Sequence, residues 1–356
     1  MTQSFESLRD LLSRSGYEFV EPPIIYDADV FVELAGEDLR RRLFLTNLPD
    51  GGELALRPDY TIPVCRAHLA GGSAKRRADY AYLGPVFRQR PGENGEFLQA
   101  GIESLGRTDR AAADADVLAL ALAAVDLLGV QRPVVKIGDQ ALFVAALDAL
   151  QLDGPWRQRL ARSFGEPKRL SALIAKAANG SDAIPDMDRR AAGRKAQQLL
   201  LATGLGTIGS RTAKEIADRV VEKSALAVGI GARAHRVLKR FLAIEGTPAH
   251  ALKSLRDLAR RESLDITTAL NRFEKRMDAF SKRGVEVEKL TLAADFGRRL
   301  DYYTGFVFEI HDSQRSDGRQ IVGGGRYDRL VAMIGDGQSL PAVGFAIWLD
   351  RIGAKQ

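Results

Sequence analysis

The chain has 356 residues, 45% of them hydrophobic and 28% charged, a balance that excludes a disordered or fibrous protein and allows one large domain or two ordinary ones. Lysine plus arginine outnumber acids 52 to 46, giving a formal charge of +6, which permits a phosphate or nucleic-acid partner without demanding one. A single cysteine, Cys65, excludes a disulfide framework and a thiolate metal site, and His68, His235, His250 and His311 are scattered without ligand spacing. No metal and no cofactor is expected. The longest apolar run, 117–125, is bracketed by Asp116 and Asp126 and is too short to span a bilayer. The N-terminus carries acids and no apolar leader, so the expected location is the cytoplasm.

Phe5, Leu8 and Leu12 recur at helical spacing and predict an opening amphipathic helix. Segments 80–88 and 98–106 read as strands, and Gly92-Glu93-Asn94-Gly95 between them supplies turn chemistry, so the pair is expected to form an antiparallel hairpin with a long loop. Residues 114–128 read as a buried helix and 134–137 as a short strand. From 153 to 286 the texture turns helical and basic. Leu170, Leu173, Ile174 and Ala177 form one stripe ending at Asn179-Gly180, and Leu270, Phe273, Met277 and Phe280 form another. Thr212 with Glu215 resembles a capping box ahead of Ile216 and Val220. Thr247-Pro248 is a helix start ahead of Leu252 and Leu255. Strands return at 290–296 and 302–310, followed by the run Gly323-Gly324-Gly325, with a helix-like end at 344–351. No internal repeat or low-complexity tract is present. The expected organisation is a core built from 1–152 and 287–356, with 153–286 as a helical insertion domain.

Three polar concentrations stand out. Alternation on 98–106 puts Gln99, Gly101 and Glu103 on one face, a polar floor with room for a small ligand above the bare glycine. Arg88 ends the facing strand. It either meets a carboxylate or phosphate on a ligand or makes an ordinary cross-strand pair with Glu103. Around Arg298-Arg299-Leu300-Asp301-Tyr302-Tyr303-Thr304-Gly305, alternation along a strand would show a pocket only one of Tyr302 and Tyr303. A tyrosine hydroxyl beside a carboxylate can hold an imidazole, whereas a surface-to-core strand with snorkelling arginines is the structural alternative. In Arg57-Pro58-Asp59-Tyr60-Thr61, Asp59 and Thr61 either receive an ammonium group or cap a helix. The glycine run lets backbone approach a ligand or makes a tight turn; it matches neither a Walker loop nor a dinucleotide fingerprint.

Taken in order, these pieces resemble the catalytic domain of the histidyl-tRNA synthetase family. Arg57-Pro58-Asp59-Tyr60-Thr61 resembles its arginine–proline–acid motif. Gly84-Pro85-Val86-Phe87-Arg88 with Gln99-Ala100-Gly101-Ile102-Glu103 resembles class II motif 2. Leu300-Asp301-Tyr302-Tyr303-Thr304-Gly305 and Gly323-Gly324-Gly325-Arg326-Tyr327-Asp328 resemble the two histidine signatures, and Ala342-Val343-Gly344-Phe345-Ala346 with Leu349-Asp350-Arg351 resembles motif 3. The resemblance covers roughly 1–150 and 287–356. It implies an α+β fold of the class II aminoacyl-tRNA synthetase type, an antiparallel sheet flanked by helices, dimeric through its N-terminal segment. It also implies a histidine site. Glu103 and Tyr303 would hold the imidazole, with Tyr302 in the same signature. Asp59, Thr61 and Gln99 would hold the α-amino group, and Arg88 and Arg298 would face the carboxylate.

Three departures separate the chain from a synthetase. It stops five residues after Arg351, so no anticodon-binding domain is expected. The loop after Arg88 carries Glu93 and Glu96, which would repel phosphates. Trp348 stands where the motif has a small glycine beneath the nucleotide. Adenylation is thus expected to be disabled and histidine recognition kept. That combination, with Leu56-Arg57-Pro58-Asp59-Tyr60-Thr61-Ile62-Pro63-Val64 and Glu96-Phe97-Leu98-Gln99-Ala100-Gly101, is similar to the paralogous family of ATP phosphoribosyltransferase regulatory subunits. Members lack catalysis of their own. They activate a short catalytic subunit in the first step of histidine biosynthesis and confer feedback inhibition by histidine. The implied partners are that subunit, histidine as effector, and a second copy within a hetero-oligomer. The rival readings are an active truncated histidine-activating ligase, and an RNA-binding module using Arg233, Arg236, Lys239 and Arg240. A membrane partner is not expected.

Overall fold

The computed structural model describes residues 2–35, 37–72, 76–152, 154–178, 198, 207–208, 211–212, 229–298, 302–335, 337 and 339–352. Its centre is a nine-stranded sheet. In chain order the strands are β1 (Glu18–Phe19), β2 (Ala78–Phe87), β3 (Glu96–Leu105), β4 (Pro133–Asp139), β5 (Glu245–Gly246), β6 (Thr291–Ala293), β7 (Phe306–Asp312), β8 (Gln320–Arg326) and β9 (Ala342–Trp348). They lie side by side as β1-β2-β3-β9-β8-β7-β4-β6-β5. The pairings β1–β2 and β4–β6 are parallel and the rest antiparallel.

The longer described helices are α1 (Thr2–Arg14), α2 (Thr61–Ala70), α3 (Arg110–Leu127), α4 (Gln140–Ala149), α5 (Gly154–Arg162), α6 (Pro167–Ala178), α7 (Gly231–Leu242), α8 (Pro248–Glu262) and α9 (Thr267–Lys282). Their apolar stripes explain them. Leu8 and Leu12 of α1 are fully buried, as are Val117, Leu118 and Ala121 of α3. Thr247 caps α8, its side chain accepting from the His250 amide, and Pro248 occupies the first turn, where a missing N–H costs nothing. The described helices between 153 and 286 have no core of their own. Trp156, Leu160, Phe241, Leu255, Phe273 and Phe280 share one buried cluster with Leu8, Leu118 and Ile137, and β5 extends the main sheet through β6. The helix predicted after Thr212–Glu215 and the stop at Asn179-Gly180 lie outside the described residues. Thr212 itself belongs to a two-stranded ribbon with Thr207–Ile208. No described helix is long and apolar enough to cross a membrane.

Four expectations need correction. The segment 344–351 is not helical: β9 runs to Trp348 and only Leu349–Arg351 turns as a 3-10 helix. Val343, Phe345 and Ile347 alternate into the helix-side core, a period-two signal masked by the small residues between them. The glycines 323–325 make no turn; they sit inside β8, where a Cβ on Gly324 would come within 2.6 Å of the Phe308 ring. The strand expected at 290–296 shortens to Thr291–Ala293, preceded by a 3-10 turn. The strand expected from 302 begins at Phe306, because Thr304 turns its amide to the Arg326 carbonyl, at 2.8 Å.

Candidate functional site

The hairpin β2–β3 and the neighbouring β9 build a floor. Glu103 lies opposite Tyr80 on one side and Gly344 on the other, Gly101 between Tyr82 and Ala346, and Gln99 between Gly84 and Trp348. The face of β9 is therefore small, small, then large, and Trp348 walls off one end. Over this floor close the start of α2, the residue after β2, and the turn before β7. They enclose a cavity of about 40 Å³ lined by every residue the resemblance assigned: Asp59, Thr61, Arg88, Gln99, Glu103, Arg298, Tyr302 and Tyr303.

Glu103 is 1% exposed. One carboxyl oxygen accepts from Thr61 Oγ1 at 2.7 Å, the other from the Tyr327 phenol. Burial pushes its pKa up to about 8, against the lowering effect of those two donors and with some help from Asp59. Asp59 is raised too, burial outweighing the pull of Arg88. Its Oδ1 accepts from the Ile62 amide at 3.3 Å, while Oδ2 is buried without a hydrogen bond and stands 4.0 Å from Arg88. Asp59 therefore serves both as helix-start acceptor and as an inward-facing acid. Arg88 donates to the Pro58 carbonyl at 2.5 Å. Arg298 contacts Glu309 at 3.2 Å and lies over the rings of Tyr303 and Trp348, at 5.7 Å and 5.9 Å.

Buried polar groups are nearly always hydrogen-bonded, yet around this cavity Asp59 Oδ2, Gln99 Oε1, Gln99 Nε2 and Arg298 Nε make no hydrogen bond. Acceptors gather around Asp59 and Gln99, and cations at Arg88 and Arg298. Such a set matches a zwitterion, with an ammonium on the acceptors and a carboxylate on the arginines. Glu103 and the tyrosines remain to hold a polar side chain.

Several sequence expectations change here. Tyr302 and Tyr303 both line the cavity, since neither lies in a strand; their ring centroids are 5.0 Å apart. Arg299, Leu300 and Asp301 lie outside the described residues. Arg88 and Glu103 form no cross-strand pair, because Glu103 faces Tyr80 and Gly344. The space above Gly101 is not free: a Cβ there would stand 2.1 Å from the Phe345 carbonyl and 2.5 Å from the Tyr82 hydroxyl, and that hydroxyl donates to the same carbonyl at 3.1 Å. Arg57 does not reach the cavity and instead ties the Pro22 and Pro85 carbonyls together. Glu93 is not an isolated repulsive charge, since Arg90, Arg319 and Arg351 surround it at 3.0, 2.5 and 3.9 Å. The surface arginines Arg233, Arg236 and Arg240 all turn to Glu262. Sequence reading missed the role of Tyr327. It stands in a quoted motif, but its reach to Glu103 crosses from the end of β8, and no local spacing signals that.

A family profile described as "Histidyl-tRNA synthetase" matches residues 1–352. The chain is 44% identical over 363 aligned positions to the ATP phosphoribosyltransferase regulatory subunit of Brucella ovis, covering 98% of this chain and 96% of that one. The Brucella abortus (strain 2308) protein of the same name has the same identity and coverage. Among solved structures, the ATP phosphoribosyltransferase regulatory subunit/histidyl-tRNA synthetase from Bacillus halodurans C superposes with a TM-score of 0.66 at 23% identity, over 98% of this chain and 78% of that one. The histidyl-tRNA synthetase from Nostoc sp. PCC 7120 gives 0.64 at 18% identity, over 98% and 70%. At these identities the two structures show the shared fold.

Proposed function

Because this chain belongs to the histidyl-tRNA synthetase-like family and, within it, to the ATP phosphoribosyltransferase regulatory subunits, we propose that it is the histidine-sensing, non-catalytic partner of a short ATP phosphoribosyltransferase catalytic subunit. The observation that carries the sensing is the set of buried atoms without a hydrogen bond on Asp59, Gln99 and Arg298 beside Glu103. Their charges suit free histidine: Asp59, Thr61 and Gln99 take the ammonium, Arg88 and Arg298 the carboxylate, and Glu103 with Tyr303 the imidazole. Trp348 supports recognition without adenylation. It is 4% exposed and lines the cavity, at the position where the resemblance puts a small glycine beneath the nucleotide.

Sensing then works by linkage. Histidine that binds one assembly state more tightly than another shifts the population of the complex by that difference in affinity and no more. The assembly itself is a homodimer within a hetero-oligomer. Reconstitution tests the reading. The protein is mixed with the short catalytic subunit of the same organism, and phosphoribosyl-ATP formation is followed with and without histidine. Activity that requires both chains and falls with histidine is expected. A catalytic subunit equally active alone and indifferent to histidine in the mixture would refute it.

A further inference from the structure

Outside the cavity lining lies a buried set of charges, on Asp114, Asp139, Arg276, Arg326 and Asp328. Asp114 on α3 is fully buried. Its Oδ2 accepts from Arg276 Nε of α9 at 2.7 Å, and its Oδ1 from Arg326 Nε at 2.9 Å. Arg276 also reaches Asp139 at 2.5 Å, the residue whose other oxygen caps α4 through the Ala141 amide at 2.8 Å. Arg326 donates to Asp328 at 2.9 Å. Asp328 in turn accepts from the Ala342 amide at 3.0 Å and meets Arg110 at 3.2 Å. Between Arg326 and Asp328 stands Tyr327, whose amide is held by the Ala342 carbonyl at 2.8 Å and whose phenol donates to Glu103.

An ionic set of this kind is weak evidence for stability, since desolvation offsets much of the attraction. What it does fix is direction. The two residues flanking Tyr327 are tied to each other and to α3, and through Asp114 to α9. We propose that Arg276 and Asp114 are positioning residues for the cavity: acting through Arg326 and Asp328 they aim Tyr327 at Glu103, so that helix α9 and the floor of the site are mechanically one unit. Its consequence for histidine rests on the reading of Glu103 given above, but the contact chain does not.

The test therefore uses ligand-free protein. Glutamate is labelled with carbon-13 at the side-chain carboxyl, the Glu103 signal is identified by its loss in Glu103→Gln, and it is titrated with pH. Tyr327 donates to the ionised carboxylate and so favours it; loosening that bond raises the midpoint. Arg276→Met is expected to move the Glu103 midpoint upward by about half to one pH unit, the size of one weakened hydrogen bond. Arg276→Lys keeps the charge but not the fork that joins Asp114 to Asp139, so its midpoint should stay raised; a return to the wild-type value would mean that charge and not aim sets the midpoint, and would overturn the proposal. The other groups around Glu103, namely Asp59, Thr61, Cys65, Tyr82, Tyr302 and Tyr303, are left in place. A folded Arg276→Met with the wild-type midpoint overturns the proposal. Should that variant fail to fold, Asp328→Asn reads the same chain from its other end, and an unshifted midpoint there is equally fatal. Failure to bind histidine would sink the ligand assignment and leave this titration standing.

Discussion

Replacing Glu103 by glutamine separates charge from shape. The amide keeps the volume and can satisfy both Thr61 and Tyr327, which approach the carboxyl from two sides. What is lost is a charge-assisted contact to the imidazole, worth roughly 1.5–3 kcal/mol, so histidine affinity should fall roughly 10- to 150-fold. The pH profile gives a sharper test. In the free protein Glu103 holds its proton up to about pH 8, and free imidazole is protonated only below about 6.5. The complex holds one proton between them. Between those limits the separated partners also hold one, so affinity is flat. Below pH 6.5 binding must expel a proton, and above pH 8 it must take one up. Affinity then drops about ten-fold per unit on each side. In Glu103→Gln the alkaline fall due to Glu103 disappears, leaving only the titration of the ligand amino group. Calorimetry from pH 5 to 9 reads both. An affinity within two-fold of wild type at pH 7.5, or an unchanged alkaline limb, would refute the assignment.

Gly323→Ala offers an indirect route to the carboxylate end of the site. A Cβ there would stand 1.8 Å from an Arg298 guanidinium nitrogen, a flexible tip that can yield. The fold should survive with Arg298 displaced, and histidine affinity should fall by about ten-fold in calorimetry. Asp59→Asn removes the buried acceptor that faces the ammonium and should weaken histidine by a similar or larger factor in the same assay, while leaving the helix-start contact to Ile62 available. Trp348→Ala should destabilise the protein by about 3–5 kcal/mol, because it deletes a buried indole packed between Arg298 and Arg351; chemical denaturation measures that loss. In the ligand-free protein Glu103 has a pKa raised from 4.5 to about 8. Its contribution to stability is whole below 4.5 and is lost as pH rises to 8. Glu103→Gln should flatten that decline in thermal melts.

Much of this was legible in the chain. Alternation on β3 marked Gln99 and Glu103 as sharing a face, and the turn residues 92–95 gave the hairpin. The stripe Leu8, Leu12 gave α1, and Thr247-Pro248 the start of α8. Those are local signals, set by the period of a strand or helix and by cap and turn chemistry. Ordered together, the motifs also named eight residues that line one cavity, but gave no role to Tyr327 beside them.

Contacts between elements far apart in sequence were a different matter. Arg88 could have paired with Glu103 as far as spacing shows; the register of β3 against β9 turned Glu103 toward Gly344 and left Arg88 with Asp59. Tyr302 and Tyr303 share the cavity because a backbone bond from Thr304 to Arg326 delays the strand. The hydrogen bond from Tyr327 to Glu103 spans more than two hundred positions of sequence, and the charges joining α9 to β8 span three separate elements. A sequence thus determines which side chains are available and which face of its own element each takes. Which of them meet, and which buried atoms remain unpartnered for a ligand, is decided when strands find their register and helices their places on the sheet, because side-chain contacts depend on distances that no local period encodes.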